Sequence, residues 1–164
     1  MAYLLDANVF IQAKNLHYGL DFCPAFWDWL IAGNAAKRLF SIEKVGDEVG
    51  AGADELAVWA EQRGPDFFLK PDPRMLPALA SVSTWATAQG YEPAAVSTFL
   101  QVADYYLVAH ALAHGHTLVT HEIASSTTRR IKIPNACIGL GLKCMTPFEM
   151  LRRERARFIL GRQE

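Results

Sequence analysis

The chain has 164 residues, 51% of them hydrophobic and 20% charged, with a formal net charge of -1. These proportions exclude a disordered or low-complexity chain, and the length buries one substantial core without requiring a second. The near-neutral total hides an asymmetry: residues 1–128 carry 7 Lys+Arg against 14 Asp+Glu, and residues 129–164 carry 9 against 3. The body therefore has acids free to hold cations, and the end offers a basic surface to an anionic partner.

Tyr3-Leu4-Leu5, closed by Asp6, reads as a short buried strand, and Val9-Phe10-Ile11 opens a helix. Phe22 to Ala32 carries Phe22, Phe26, Trp29 and Leu30 at helical spacing and predicts a helix striped toward the core. Leu39 to Ile42 reads as a second strand. From Lys44, the positions of Val45, Val49, Leu56 and Trp59 predict a helix to about Arg63, bent or weakened at Gly50 and Gly52. Phe67-Phe68-Leu69, between Pro65 and Pro71, reads as a strand. Met75 to Gln89 and Ser97 to His114 are the strongest helical patterns, the second closed by Gly115 in the left-handed region.

Thr117 to Thr120 predicts another buried strand, Ser125 to Arg130 a polar loop, and Ala136-Cys137-Ile138 a last strand. Thr146 as N-cap, Pro147 at the first helical position and Glu149 three residues after the cap mark a helix over about 147–160. Strands alternating with helices imply an α/β chain: a three-layer α/β/α sandwich around a mainly parallel sheet. No apolar run approaches the roughly 18 residues a membrane helix needs, and Met1 to Asp6 lacks the makings of a secretory leader. A single cytoplasmic domain over 1–164 is the expectation. Cys23, Cys137 and Cys144, an odd number without a C-x-x-C pair, are expected as reduced thiols in or near the core.

Ligands of open parallel sheets bind in the crevice beyond the carboxyl ends of the strands. Asp6 ends the first strand and Thr120-His121-Glu122 a later one, so two acids from distant positions are expected at one edge. Asp104 sits in the first half of its helix, at the end nearer that crevice, on a mainly apolar element. A carboxylate there requires a salt bridge, a backbone hydrogen bond or a metal. Glu48, in the helix after the second strand, is placed similarly.

Four segments resemble those of the PIN-domain family, in family order over about residues 2–150. Tyr3 to Phe10 is similar to the opening strand that ends in Asp, one small residue and Asn. Val45 to Val49 resembles the helix carrying the second acid, Ala103 to Ala109 the "A-D-x-x-[IL]-[VA]-A" segment, and Leu118 to Glu122 the strand followed by Thr-x-Asp. Leu4 to Leu30 is most similar to a PIN-like group opening "LLDANVFIxAKN".

The resemblance implies a Mg²⁺- or Mn²⁺-dependent ribonuclease with Asp6, Glu48, Asp104 and Glu122 around the metal. Asp6 and Asp104 are then direct ligands, Glu48 and Glu122 direct or through water, and Asn8 and Thr120 hold ligands and waters in place. Two points depart from or blur the pattern: the fourth acid is Glu122 where the family more often has Asp, and Glu43 and Asp47 stand close to Glu48. Family members are commonly toxins paired with an antitoxin, and many form homodimers.

Arg129, Arg130 and Lys132, shortly after Glu122, are expected near the acidic mouth as contacts for RNA phosphates. Arg152, Arg153, Arg155 and Arg157, flanking Met150, Leu151, Phe158 and Ile159, suit an acidic antitoxin segment. RNA is the competing ligand there, and packing of Leu151 and Phe158 on the sheet the alternative.

Three other readings compete. A haloacid-dehalogenase-type phosphatase also opens on a strand ending in Asp, but needs an acid where this chain has Asn8. His110, His114 and His116, with His121 nearby, have zinc-like spacing, although polar residues are also favoured at a helix C-terminus. A binding module whose acids no longer catalyse is the third.

Overall fold

The computed structural model describes residues 2–161. Five parallel strands form its sheet: β1 (Tyr3–Leu5), β2 (Leu39–Ile42), β3 (Phe68–Leu69), β4 (Thr117–Val119) and β5 (Cys144–Met145), in the order β3-β2-β1-β4-β5. Helices flank this sheet to give a three-layer α/β/α sandwich, as the alternation of elements predicts. β1 is central because Tyr3, Leu4 and Leu5 are all buried, which suits a strand covered on both faces. Tyr3 pairs with Leu39 on one side and Thr117 on the other. The chain builds outward from β1 through β2 to β3, then crosses to β4 on the opposite flank. The order thus reverses between β1 and β4, and a crevice opens there beyond the strand ends.

The helices are α1 (Ala7–Gln12), α2 (Pro24–Ala35), α3 (Glu43–Gly50), α4 (Glu55–Glu61), α5 (Met75–Ala88), α6 (Pro93–Phe99), α7 (Ala103–His114), α8 (Ile133–Leu140) and α9 (Pro147–Arg153). α1 runs on into one π-helical stretch, Ala13–His17. Gly115 and Gly141, at φ 69° and 71°, end α7 and α8 in the left-handed conformation that lets the chain turn back into the next strand. No helix among the described residues is long and apolar enough to cross a membrane. The cysteines are free, Cys137 buried and Cys23 and Cys144 half-buried.

Several elements differ from the sequence-based expectation. Ala136-Cys137-Ile138 is the middle of α8 and not a strand: Pro134 stands in its first turn, and the buried Ile133, Ala136 and Cys137 follow helical spacing. A Cβ on Gly139 would collide with the indole of Trp85 on α5, so α8 seats there at close range. The last strand is instead Cys144–Met145.

The pattern read as one helix over 97–114 is two, α6 from Pro93 and α7 from Ala103, broken where Val102 is extended at φ -108°, ψ 168°. Phe99 and Leu107 face one core across the break, which is why the apolar spacing runs through it. The helix expected over 44–63 is likewise divided into α3 and α4, the latter capped by Asp54, whose carboxylate accepts from the Ala57 amide. Phe22 precedes α2 and is 70% exposed, so it is no part of the core stripe. α9 starts as expected, with the Thr146 hydroxyl accepting from the Glu149 amide, but stops at Arg153 and not near residue 160.

Candidate functional site

Asp6 leaves β1 as the N-cap of α1. Its Oδ1 accepts from the Ala7 amide at 2.7 Å and its Oδ2 from the Thr120 hydroxyl at 2.8 Å. Thr120, the residue after β4, is a hub, also accepting from Asn8 Nδ2 and from the Glu122 amide, both at 3.1 Å. Asn8 Oδ1 in turn accepts from the His121 amide at 3.0 Å. The ends of β1 and β4 are thereby locked together by Asp6, Asn8 and Thr120, the arrangement expected of residues that hold an acidic ligand in one rotamer. Asn8, standing where a dehalogenase-type enzyme needs its acid, is committed to this network.

Burial first, then the charge of Asp104 and more weakly that of Glu122, pushes the Asp6 carboxyl up to about 7, against the hydrogen bonds from Thr120 and Ala7. Asp104, in the first turn of α7, is raised to about 6 by burial and by Glu122 and Glu48, with Arg130 and Lys132 pulling it down. Asp104 thus lies within electrostatic reach of the other three acids, and Glu122 also of Asp6, all carried by different parts of the chain. Like charges gathered this way disfavour their own ionisation.

The acids are not equivalent. Glu48 is exposed on α3 and lines a cavity of about 640 Å³ with Asp104, Lys44, Asp47, Arg129 and Arg130. Glu43 lies outside that cavity, and only Glu48 of the three candidate second acids acts on the Asp104 carboxyl. Glu122 has both oxygens engaged: Oε2 accepts from the Ile133 amide at 2.8 Å, capping α8, and Oε1 pairs with Arg130 at 3.0 Å. A slightly larger cavity, about 690 Å³, lies between α3, α4 and β3 and is lined by neither Asp6, Asp104 nor Glu122. Its size does not make it the centre, since the convergent buried carboxyls are elsewhere.

The donor set is entirely oxygen and suits a hard divalent cation that keeps waters or phosphate oxygens in its shell. Among the described residues no three His, Cys, Asp or Glu side chains form a ready cage.

Arg129 and Arg130 line the same cavity as Asp104 and Glu48 and are exposed. Their loop is pinned to α8 by Ser125 and Asn135, which exchange hydrogen bonds at 3.0 and 2.9 Å. Lys132 does not line the cavity but is the residue before α8 and acts on the Asp104 charge. Sequence reasoning missed Lys44 on the opposite wall, where its ammonium lies 4.3 Å from the centre of the Tyr106 ring. Its spacing of four from Glu48, one helical turn, was the available signal.

The histidines divide. His110, His114 and His116 cluster with ring centres 4.7 to 6.0 Å apart, and His114 pairs with Asp72 at 2.6 Å. His121 belongs elsewhere, against His17 and Phe148. Met150 and Leu151 are in the core and Phe158 packs on Tyr18 and Phe26, which leaves Ile159 and Leu160, 74% and 92% exposed, as the open apolar residues beside the terminal arginines among the described residues. Arg155 and Arg157 lie beyond α9.

No curated protein and no solved structure matches the chain. Residues 3–158 match the model of the family described as Domain of unknown function (DUF4411), and the chain belongs to that family.

Proposed function

We propose that this chain is a Mg²⁺- or Mn²⁺-dependent endoribonuclease of the PIN type, hydrolysing RNA phosphodiesters at the carboxyl edge of its sheet. The observation that carries the reading is the meeting of Asp6 and Asp104, from the end of β1 and the start of α7, with Asp6 lifted to about 7 by burial and the Asp104 charge, and Asp104 to about 6 by burial and the charges of Glu122 and Glu48. Buried like charges at a sheet crevice call for a cation. Support also comes from the order of the four PIN-like segments, whose acids fall directly after β1, on α3, on α7 and after β4.

Asp6 and Asp104 are the direct ligands in this reading. Glu48 and Glu122 act directly or through water, and the double engagement of Glu122 favours water. The bound cation supplies an activated water and offsets charge on the departing oxygen. Thr120 fixes the Asp6 carboxylate by donating to it, and Asn8 fixes Thr120. Arg129, Arg130 and Lys132, with Lys44 opposite, hold the RNA phosphates, whose repulsion by the acids they balance. In the cell the protein acts in the cytoplasm as the toxin of a toxin-antitoxin pair. Its assembly is a homodimer and its partner an acidic antitoxin segment met by the exposed Arg152, Arg153, Arg155 and Arg157.

One observation favours a second reading, an inactive PIN-like binding module: Arg130 already neutralises Glu122. Chelated protein assayed on a short single-stranded RNA separates the two. Cleavage that appears on re-supply of Mn²⁺ and is lost in Asp104→Asn supports the ribonuclease. RNA binding without cleavage in either metal overturns it and selects the module.

A further inference from the structure

Three rings rise at the same sheet edge from residues that follow three different strands. His17 comes from the end of the π-helical stretch after β1, His121 from the turn after β4, and Phe148 from the first turn of α9 after β5. Their centres lie 5.6 Å apart for His17–His121, 5.0 Å for His17–Phe148 and 5.5 Å for His121–Phe148. Phe148 meets both imidazoles edge-on, at 82° and 67°. All three are half-buried, so each keeps ring surface open to solvent. Two residues past His121, Ile123 is 79% exposed.

The cluster is tied to the acidic centre, since the His121 amide donates to Asn8, which holds Thr120 and through it Asp6. None of the three rings lines the cavity that contains Asp104, Glu48, Lys44, Arg129 and Arg130. The rings and the cation-lined cavity are thus separate surfaces, the first linked to Asp6 through Asn8 and Thr120, the second containing Asp104 and Glu48. The π-helical turn, a conformation recurrent at functional sites, delivers His17 to the aromatic flank, where the Tyr18 amide closes it on Ala13 at 2.7 Å.

We propose that His17, His121 and Phe148 form a stacking subsite for one unpaired nucleobase, beside the phosphate bound at the acidic centre. The inference rests on the ribonuclease reading, which makes the ligand a nucleic acid. Cations on one flank take the phosphates, and rings on the other take a base whose π-face needs no particular sequence.

Calorimetry in Mn²⁺ with adenosine 5′-monophosphate and with ribose 5-phosphate isolates the base, because both ligands carry the same phosphate. The wild-type protein is expected to bind the nucleotide about tenfold more tightly. The double variant His17→Leu/Phe148→Leu, which keeps apolar packing, should bind the two ligands alike while retaining its affinity for ribose 5-phosphate. If that variant melts early, His17→Asn alone should reduce the preference. Equal wild-type affinity for the two ligands, or a preference that survives in the variants, overturns the subsite. RNA cleavage is scored apart. Wild-type protein that prefers the nucleotide but cuts no RNA contradicts the ribonuclease reading only, whereas protein that cuts RNA without the preference contradicts the subsite only.

Discussion

The two ends of α7 carry the two side-chain clusters that the sequence offers as cation sites, and they resolve opposite electrostatic problems. At its start Asp104 stands among acids: the Glu122 and Glu48 charges raise its own carboxyl, and its charge with that of Glu122 raises Asp6. At its end, about 15 Å along the axis, His114 has an opposite charge in Asp72. Burial and the neighbouring His114 and His116 push His110 down to about 4, so it stays neutral at ordinary pH. Imidazoles escape crowding by shedding a proton and stacking. Carboxylates do so only by taking one up, or by binding a cation. Both ends should therefore answer to pH, in opposite senses, since a raised carboxyl favours the folded state at low pH and a lowered imidazole disfavours it there, and only the acidic end should answer to metal.

The largest effect is expected at the acids. Asp6→Asn and Asp104→Asn each remove a charged oxygen at nearly constant volume. Metal-dependent RNA cleavage should fall to background, while metal-free stability at pH 8 holds or rises. A folded variant with full activity after chelation and re-supply of Mn²⁺ would sink the site.

Thr120→Val comes next. It removes the donor to Asp6 and the acceptor for Asn8 and Glu122 while preserving shape. Loss of such a supporting group costs about 10- to 100-fold in activity or metal affinity. An unchanged Mn²⁺ requirement in this variant would show that the hub does not position the ligand.

Metal-free stability should depend on pH in a defined sense. Asp6 and Asp104 hold protons to about pH 7 and 6 in the folded protein, against 3.8 for the ordinary group. At these two groups the folded state binds more protons than the unfolded chain across that interval, so their contribution is full below pH 4 and is lost as pH rises toward 7, while the lowered His110 opposes it by losing stability as pH falls from 6.5 toward 4. The loss at the two carboxyls is roughly 3 kcal/mol, less than the two shifts taken singly because each depends on the other's charge. Denaturant melts of the wild type and Asp104→Asn at pH 5 and pH 8 isolate it, because His110 contributes equally to both: the wild type should lose more stability from pH 5 to pH 8 than the variant. The same pH dependence in both proteins without metal would contradict the assigned crowding.

Smaller effects are expected at the cations and the histidine end. Changing Arg129, Arg130 and Lys132 together to Ala should weaken RNA binding and flatten its salt dependence, each lost phosphate contact reducing the slope by about 1. An unchanged slope would make them solvated loop charges. Asp72→Asn should shift stability by no more than about 1 kcal/mol, since its pair with His114 is partly exposed, and should leave any Mn²⁺ response intact.

Much of this was legible in the sequence where local and tertiary signals agree. β1 and β4 read correctly because each is a short apolar run closed by a polar residue, and Gly115 marked the end of α7 through the one conformation it adopts at no cost. Asp6, Asn8 and Thr120 could be assigned together because they follow parallel strands on either side of the switch point. The failures have one cause, the ambiguity of short apolar runs whose neighbours are distant in sequence. Ala136-Cys137-Ile138 fits a strand or a buried helix equally, and the seat of Gly139 on Trp85 decides it. The capping of α8 by Glu122 depends on that helix existing, so its double engagement could not be read from spacing. The pairing of His121 with His17 and Phe148 depends on the π-helical turn, for which a single sequence carries no signal.

The most direct test of the account is a calorimetric titration of Mn²⁺ into chelated protein at pH 6.5, where Asp6 still holds most of its proton, with Asp104→Asn and Asp72→Asn alongside. The account predicts saturable binding in the wild type with release of protons from the crowded carboxyls, the same isotherm in Asp72→Asn, and no saturable binding in Asp104→Asn. Wild-type protein without saturable binding, or Mn²⁺ binding that survives Asp104→Asn and is lost in Asp72→Asn, would contradict it.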